Sequence, residues 1–206
     1  MYIPTEFSMD DEQEAFDFIE NYSFGELITS SQGELKASHV PLLLDMDKNL
    51  LLGHFARNND HWQELETAED LLVIFQGPHT YVTPSWYESE QMVPTWNYVA
   101  VHVKGKARLA SDSELLDLVT RLSDKHESQF EKPWTVDKVG DKKLAALLRA
   151  IVGFKIDIEQ VLGKAKMSQN RKESDQQGVI RGLQSKKDPS ANLVAKLMVK
   201  KNSAGS

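Results

Sequence analysis

The sequence of 206 residues contains no cysteine, which excludes disulfides, thiol nucleophiles and cysteine-bound zinc or iron–sulfur centres. No apolar run approaches the roughly 20 residues of a membrane helix, and the N-terminus lacks a secretory-signal pattern. A cytoplasmic protein with no membrane partner is therefore expected. The glycine-rich fingerprints of dinucleotide folds and P-loops are missing. Six histidines are present, but none shares metal-ligand spacing with carboxylates on an expected helix, so no metal site is expected. Ser85, His79 and Asp70 lack the strand–Ser–helix elbow that would make them a triad. A helix-turn-helix signature is also missing, and no residue declares itself catalytic.

What is present is ordinary globular composition, 40% hydrophobic and 27% charged, in a chain long enough for one domain with appendages. The net charge of -7 is unevenly spread. Residues 1–154 hold 13 Lys/Arg against 26 Asp/Glu, and residues 155–206 hold 11 against 5. A basic tail on an acidic body either binds a polyanion or docks on the body or a neighbouring subunit. Recurring apolar residues in the tail favour docking. The expected division is a body, residues 1–162, and a helical tail, residues 163–206.

Asp10 is placed to cap a first helix reaching about Tyr22, with Phe16, Ile19 and Tyr22 on one face. Strands follow from Phe24 to Ser30, from Leu35 to Leu44, from Leu50 to Phe55 and from Leu71 to Gln76. Pro41 cannot donate to a ladder, so it marks an edge, a bulge or a flank occupied by ligand. Gly77-Pro78-His79 is expected to break the chain before Tyr81. Asn97 to Ala110 alternates as a long strand bent at Gly105. Ser111-Asp-Ser-Glu114 is a capping box for a helix burying Leu115, Leu118, Val119 and Leu122. Leu144, Leu147, Leu148 and Ile151 mark a further helix ended by Gly153, and Phe154 to Ile158 the last strand. In the tail, Ser174-Asp-Gln-Gln177 resembles another capping box. Asp188-Pro189 opens a helix whose apolar face is Leu193, Val194, Leu197 and Met198. Six strands with peripheral helices predict a mainly β (α+β) chain built on a small antiparallel barrel.

One stretch concentrates chemistry. After the apolar run Leu50 to Leu52 come Gly53-His54, then Arg57-Asn58-Asn59, with Asn59 suited to cap a helical turn from Asp60. Free amides and a guanidinium converging at a strand end suit a phosphate. The alternative is that Arg57 caps a strand in solvent and His54 is a satisfied core histidine. Trp86, Tyr87 and Trp96 sit among prolines and polar residues, as a stacking rim or a subunit anchor would. Lys166, Ser168, Gln169, Asn170 and Arg171 are either a solvated linker or a set of donors closing over an anion.

Gly53-His-Phe-Ala-Arg-Asn58, Val73-Ile-Phe-Gln-Gly-Pro-His79, Ser85-Trp-Tyr87, Val93-Pro-Thr-Trp-Asn-Tyr98 and Lys166-Met-Ser-Gln-Asn-Arg171 together resemble the PaiB family. Its members are described as FMN-binding negative transcriptional regulators of the split-barrel flavin-binding superfamily. The resemblance runs from Met1 to about Leu183. It implies a split antiparallel β-barrel, a homodimer and FMN between subunits, with DNA as a partner. Ser38, His39, Val40 and Pro41 would run along the isoalloxazine, and His54, Phe55, Ala56, Arg57 and Asn58 would hold the phosphate. Trp96 and Asn97 would be second-subunit contacts, followed by Lys166, Ser168, Gln169 and Arg171. The rival reading is a flavin-dependent oxidoreductase, of the flavin reductase kind, taking hydride from NAD(P)H. A barrel binding haem instead would want tail histidines, and the tail has none.

Overall fold

The computed structural model describes the backbone of residues 1–9 and 11–204, and side chains as far as Lys201. The elements in order are α1 (Glu12–Asn21), β1 (Phe24–Ser31), β2 (Glu34–Pro41), β3 (Leu43–Asp45), β4 (Leu50–Ala56), β5 (Asp70–Val82) and β6 (Thr95–Leu109). There follow α2 (Asp112–Glu127), α3 (Asp141–Arg149), β7 (Ile151–Lys166), α4 (Glu173–Gln184) and α5 (Pro189–Ala204). The expected cap Asp10 lies outside the described residues; the cap contact on α1 is made by Asp11, whose carboxylate accepts from the Glu14 amide at 2.7 Å.

Seven strands form one antiparallel sheet in the order β2-β1-β5-β6-β7-β4-β3. The sheet does not close by hydrogen bonds: β2 and β3 are its end strands, and β2 comes alongside β4 without pairing to it. This is the split-barrel architecture, with one strand more than the six expected. The extra strand arises at Pro41, which ends β2 at the sheet margin, where a missing N–H costs least. Among the described residues, no helix is long and apolar enough to cross a membrane.

Gly77-Pro78-His79 does not break β5 as expected. The ladder to β1 ends at Ile74, so Pro78 needs no partner on that side. At His79 the Ser190 hydroxyl takes the place of a neighbouring strand. It accepts from the His79 amide at 3.2 Å and donates to the His79 carbonyl at 2.7 Å. Gly153 likewise does not end α3. It lies inside β7, where a Cβ would crowd Leu115 and Ala110.

The chain gathers into two interleaved compact units, Met1–Ala15 with Gln76–Val101 and Leu162–Ser206, and Phe16–Phe75 with His102–Val161. In the second, Leu115, Leu118 and Leu122 of α2 pack on Leu43, Leu50 and Leu52. The capping box forms at Ser111 and Glu114. Lys155 and Ser111 hydrogen-bond the Glu114 carboxylate and hold its pKa down to about 2.

In the first unit the tail helices are packed rather than free. Ala191, Val194, Ala195 and Met198 are buried, the i, i+3, i+4, i+7 stripe of an amphipathic helix, whereas Leu193, expected on that face, is exposed. A Cβ at Gly178 would fall on the Trp86 carbonyl, and one at Gly182 on the Trp86 ring. These glycines let α4 lie directly on that segment. The Asp175 carboxylate, in the first turn of α4, accepts from the amides of Glu88 and Ser89 at 2.8 and 2.9 Å and from the Ser89 hydroxyl at 2.8 Å.

Candidate functional site

The turn after β4, where a phosphate site is expected, lies in the Phe16–Phe75 and His102–Val161 unit. Its Arg57 does not hang in solvent. Nε donates to the Arg149 carbonyl at 2.7 Å, Nη2 to the Ile151 carbonyl at 2.9 Å, and the backbone amide to the Ala150 carbonyl at 2.8 Å. The side chain thus caps the junction of α3 and β7. A guanidinium has more N–H donors than these two carbonyls use, so a fixed, exposed cation remains with donors to spare. Asn58 beside it is exposed. Asn59 does cap the next turn, its side-chain oxygen accepting from the His61 amide at 3.1 Å, but that turn is a 3-10 segment of five residues. It carries far less dipole than the helix the sequence suggests.

On β2, Ser38 and His39 point to opposite faces, as the two-residue period of a strand requires. The exposed His39 ring stacks with Phe24 at 6.4 Å and lies 3.8 Å from the Glu26 carboxylate. The Ser38 hydroxyl turns the other way, into a chain of polar groups that sequence reasoning missed. Asn59 Nδ2 donates to Ser38 Oγ at 3.2 Å, and Ser38 Oγ lies 2.8 Å from His61 Nδ1. His61 Nε2 lies 2.8 Å from Thr29 Oγ1, which donates to Glu64 Oε1 at 2.8 Å.

One assignment of protons satisfies the whole chain. The Glu64 carboxylate only accepts, so Thr29 spends its hydrogen there and must accept from His61 Nε2–H. His61 Nδ1 then accepts from Ser38, whose oxygen accepts from Asn59. His61 is fully buried, and burial holds its pKa below 6.5 despite the nearby Glu64 charge. Phe55 stacks on the same ring at 5.3 Å and on Phe154 at 4.9 Å. His54 is different: burial lowers its pKa too, and its Nδ1 is buried without a partner among the described residues. Val40 is buried in the core, Pro41 half-buried and Ala56 exposed.

The other predicted residues fall in the unit containing the tail. Trp96 is 53% exposed, its ring meeting Tyr81 edge-on at 6.1 Å and His79 at 6.3 Å. Of the aromatic loop only Trp96 is an open platform, because Tyr87 is buried and Trp86 packs under α4. Asn97, expected at a subunit contact, is fully buried instead. Its amide nitrogen donates to Ser168 Oγ at 3.0 Å, and Ser168 returns a bond to its oxygen at 3.1 Å. Gln169 is spent on the Met167 amide and the Ala165 carbonyl, both at 2.6 Å. Lys166 is held by the Thr95 hydroxyl and, at 2.8 Å, by the Trp96 carbonyl. Its pKa is lowered by burial and by the charges of Lys164 and Arg171. Arg171 sits over the Tyr87 ring at 5.9 Å. Ser168, Gln169 and Lys166 thus fasten a tight turn, with Ser168 at φ 60; they do not form an open set of donors.

Comparison with known proteins shows which family the chain belongs to. Residues 1–160 match the family model described as "Putative FMN-binding domain". The protease synthase and sporulation protein PAI 2 of Bacillus subtilis is 42% identical over 200 residues, 96% of either chain.

The chain belongs to the PaiB-type FMN-binding family.

An uncharacterized relative from Emericella nidulans shares 31% identity over 189 residues, covering 73% of this chain and 75% of its own. Among solved structures, the FAD and heme binding protein of Mycobacterium smegmatis superposes with a TM-score of 0.57 at 13% identity, covering 77% of this chain and 73% of that one. A conserved hypothetical protein from Mycobacterium tuberculosis gives 0.59 at 11% identity, covering 84% and 95%. At such identities the likeness is one of fold.

FMN is the cofactor of the PaiB-type family, and residues of this unit fit its chemistry. The anchored Arg57 offers donors to a phosphate, the unpartnered Nδ1 of His54 is a buried polar atom with unused capacity, and β2 leaves the backbone groups of its outer flank unpaired for a heterocycle edge. Sequence signals for the missed residues were slight. His61 follows a cap residue by two positions, and Thr29 is a lone polar residue on the buried face of an alternating strand.

Proposed function

We propose that the protein is an FMN-dependent transcriptional regulator that acts as a homodimer in the cytoplasm, with residues 1–162 as the flavin-binding body and 163–206 as a tail. The observation that carries this reading is the relation to PAI 2. It spans nearly the whole chain and so takes in the tail, which lies past the 160 residues of the FMN-binding match.

In this reading FMN supplies a redox-active heterocycle and an anionic phosphate, and the chain's own residues hold both. Arg57, fixed by the Arg149 and Ile151 carbonyls, meets the phosphate together with Asn58. The backbone of Ala37 to Pro41 lines the ring edge. Ser38 is kept from rotating by Asn59 and His61, so it meets the ring in one orientation. The exposed Trp96 and its neighbours Tyr81 and His79 supply an aromatic surface for a second copy.

The test combines three measurements on one preparation. These are the flavin absorption spectrum with and without added FMN, light scattering at micromolar concentration, and duplex DNA binding across a salt series. A dimer that takes up FMN and binds duplex upholds the reading. Rapid NAD(P)H oxidation by an FMN-loaded protein that ignores DNA replaces it with the oxidoreductase.

A further inference from the structure

We propose that the solvent face of α4, α5 and the turn joining them is a contact surface for the phosphate backbone of duplex nucleic acid. This rests on the regulator reading and assigns its partner a place on the molecule. Burial of Ala191, Val194, Ala195 and Met198 fixes the orientation of α5. With 3.6 residues per turn, Leu193, Lys196 and Lys200 then share the opposite, exposed face. The docking and polyanion readings of the basic tail are therefore compatible, because apolar residues face inward and lysines outward.

From Lys172 to Lys201 the tail carries seven Lys/Arg against three Asp/Glu. Two of those acids already have partners. Asp175 is buried under Ser89, and Asp188 accepts from the Ser190 amide at 2.9 Å. Some of the bases are also engaged: Lys201 pairs with Glu14 at 3.1 Å, Lys186 covers the Trp86 ring at 5.6 Å, and Arg181 lies 3.7 Å from Glu88. Lys187, Lys196 and Lys200 are exposed and form no ion pair among the described residues.

The chemistry of that face selects the partner. Protein interfaces are enriched in Trp, Tyr, Met and Arg and depleted in Lys. Three lysines beside Leu193 and Val199, with no aromatic residue among them, are poor anchors for a protein but adequate point charges for phosphates, which position a duplex without reading its bases.

The experiment uses the full chain loaded with FMN and a fluorescently labelled duplex of arbitrary sequence, followed by anisotropy from about 50 to about 200 mM salt. Each phosphate contact steepens the log–log salt dependence by about 0.9. A variant carrying Lys187→Gln, Lys196→Gln and Lys200→Gln should have a slope shallower by about 2.7. Over that fourfold salt range it should lose about 40-fold less affinity than the parent. Its melting temperature and flavin spectrum should not change. If the parent binds duplex and the variant keeps the parental slope, the surface assignment is overturned while the regulator reading stands. If the variant instead dissociates from dimer to monomer, the face belongs to a second copy and the assignment is overturned as well. If the parent fails to bind duplex at the lowest salt, the regulator reading itself falls.

Discussion

Replacing Arg57 with alanine separates two tasks that the structure gives to one guanidinium. The first is structural. Two charge-assisted bonds to the Arg149 and Ile151 carbonyls are lost. Both lie at an exposed junction, so each contributes about 0.5–1.5 kcal/mol, the ordinary range for a solvent-accessible bond. The apoprotein should lose about 1–3 kcal/mol and melt roughly 2–12 °C lower, given about 2–4 °C per kcal/mol for a chain of this length. The second task is ligand binding. A charge-assisted, two-pronged phosphate contact contributes about 1.5–3 kcal/mol, so FMN should bind roughly 10- to 150-fold more weakly. Flavin fluorescence titrations with FMN and with riboflavin divide the two. Riboflavin has no phosphate, so its affinity falls only as far as the structural damage reaches the ring site. The ratio of FMN to riboflavin affinity should therefore collapse in Arg57→Ala, and recover only in part in Arg57→Lys, which offers a point charge in place of a planar fork. An unchanged ratio alongside a lowered melting temperature would make Arg57 a cap of the α3–β7 junction and nothing more.

Nitrogen NMR should find His61 neutral with its proton on Nε2 at pH 7; a protonated Nδ1 would overturn the proton chain. Because burial lowers the folded pKa of His61 below 6.5, its stability contribution is complete above that value and falls as acid protonates the unfolded chain first. His61→Leu should cost about 1–3 kcal/mol by leaving Ser38 and Thr29 short of partners. Asp175 has its pKa lowered, first by the Ser89 amide and hydroxyl, so its contribution is present at neutral pH and lost as pH falls through the folded value. Asp175→Asn should accordingly melt lower than the parent at pH 7 and converge with it in acid. A gap that persists at pH 2 would mean that shape rather than charge holds the Glu88–Ser89 loop.

What the sequence made legible was whatever depends on local pattern. The Ser111 capping box, the α2 stripe and the Asn59 cap all formed where spacing placed them, because each is decided within a few residues. Pairing across the sheet was less visible. Nothing near Gly77-Pro78 announces that the ladder to β1 has already ended, or that a hydroxyl from residue 190 will satisfy His79. The tail's burial was legible from its apolar recurrence, but its phase was not. Leu193 fits the pattern as well as Ala191 does, and only the small residue faces the core. At the site, Arg57 could be picked out by residue type, whereas its two carbonyl partners lie about 90 residues away in sequence. Asn97 was expected at a subunit contact, and its burial was not legible because it depends on Ser168 and Met198 in the tail.

The two glycines under Trp86 bear on how the tail comes to be ordered. Each lowers the intrinsic helicity of α4 by about 0.8–1 kcal/mol relative to alanine, in a helix of 12 residues that is already short for independent existence. Close approach to Trp86 requires them, so the contact that orders α4 also removes its ability to persist alone. Detachment and unwinding are then one event. Amide hydrogen exchange across Glu173–Gln184 should report a single cooperative opening at a free energy below that of the β-sheet. A partner that captures the detached tail would meet an extended basic chain, not a preformed helix.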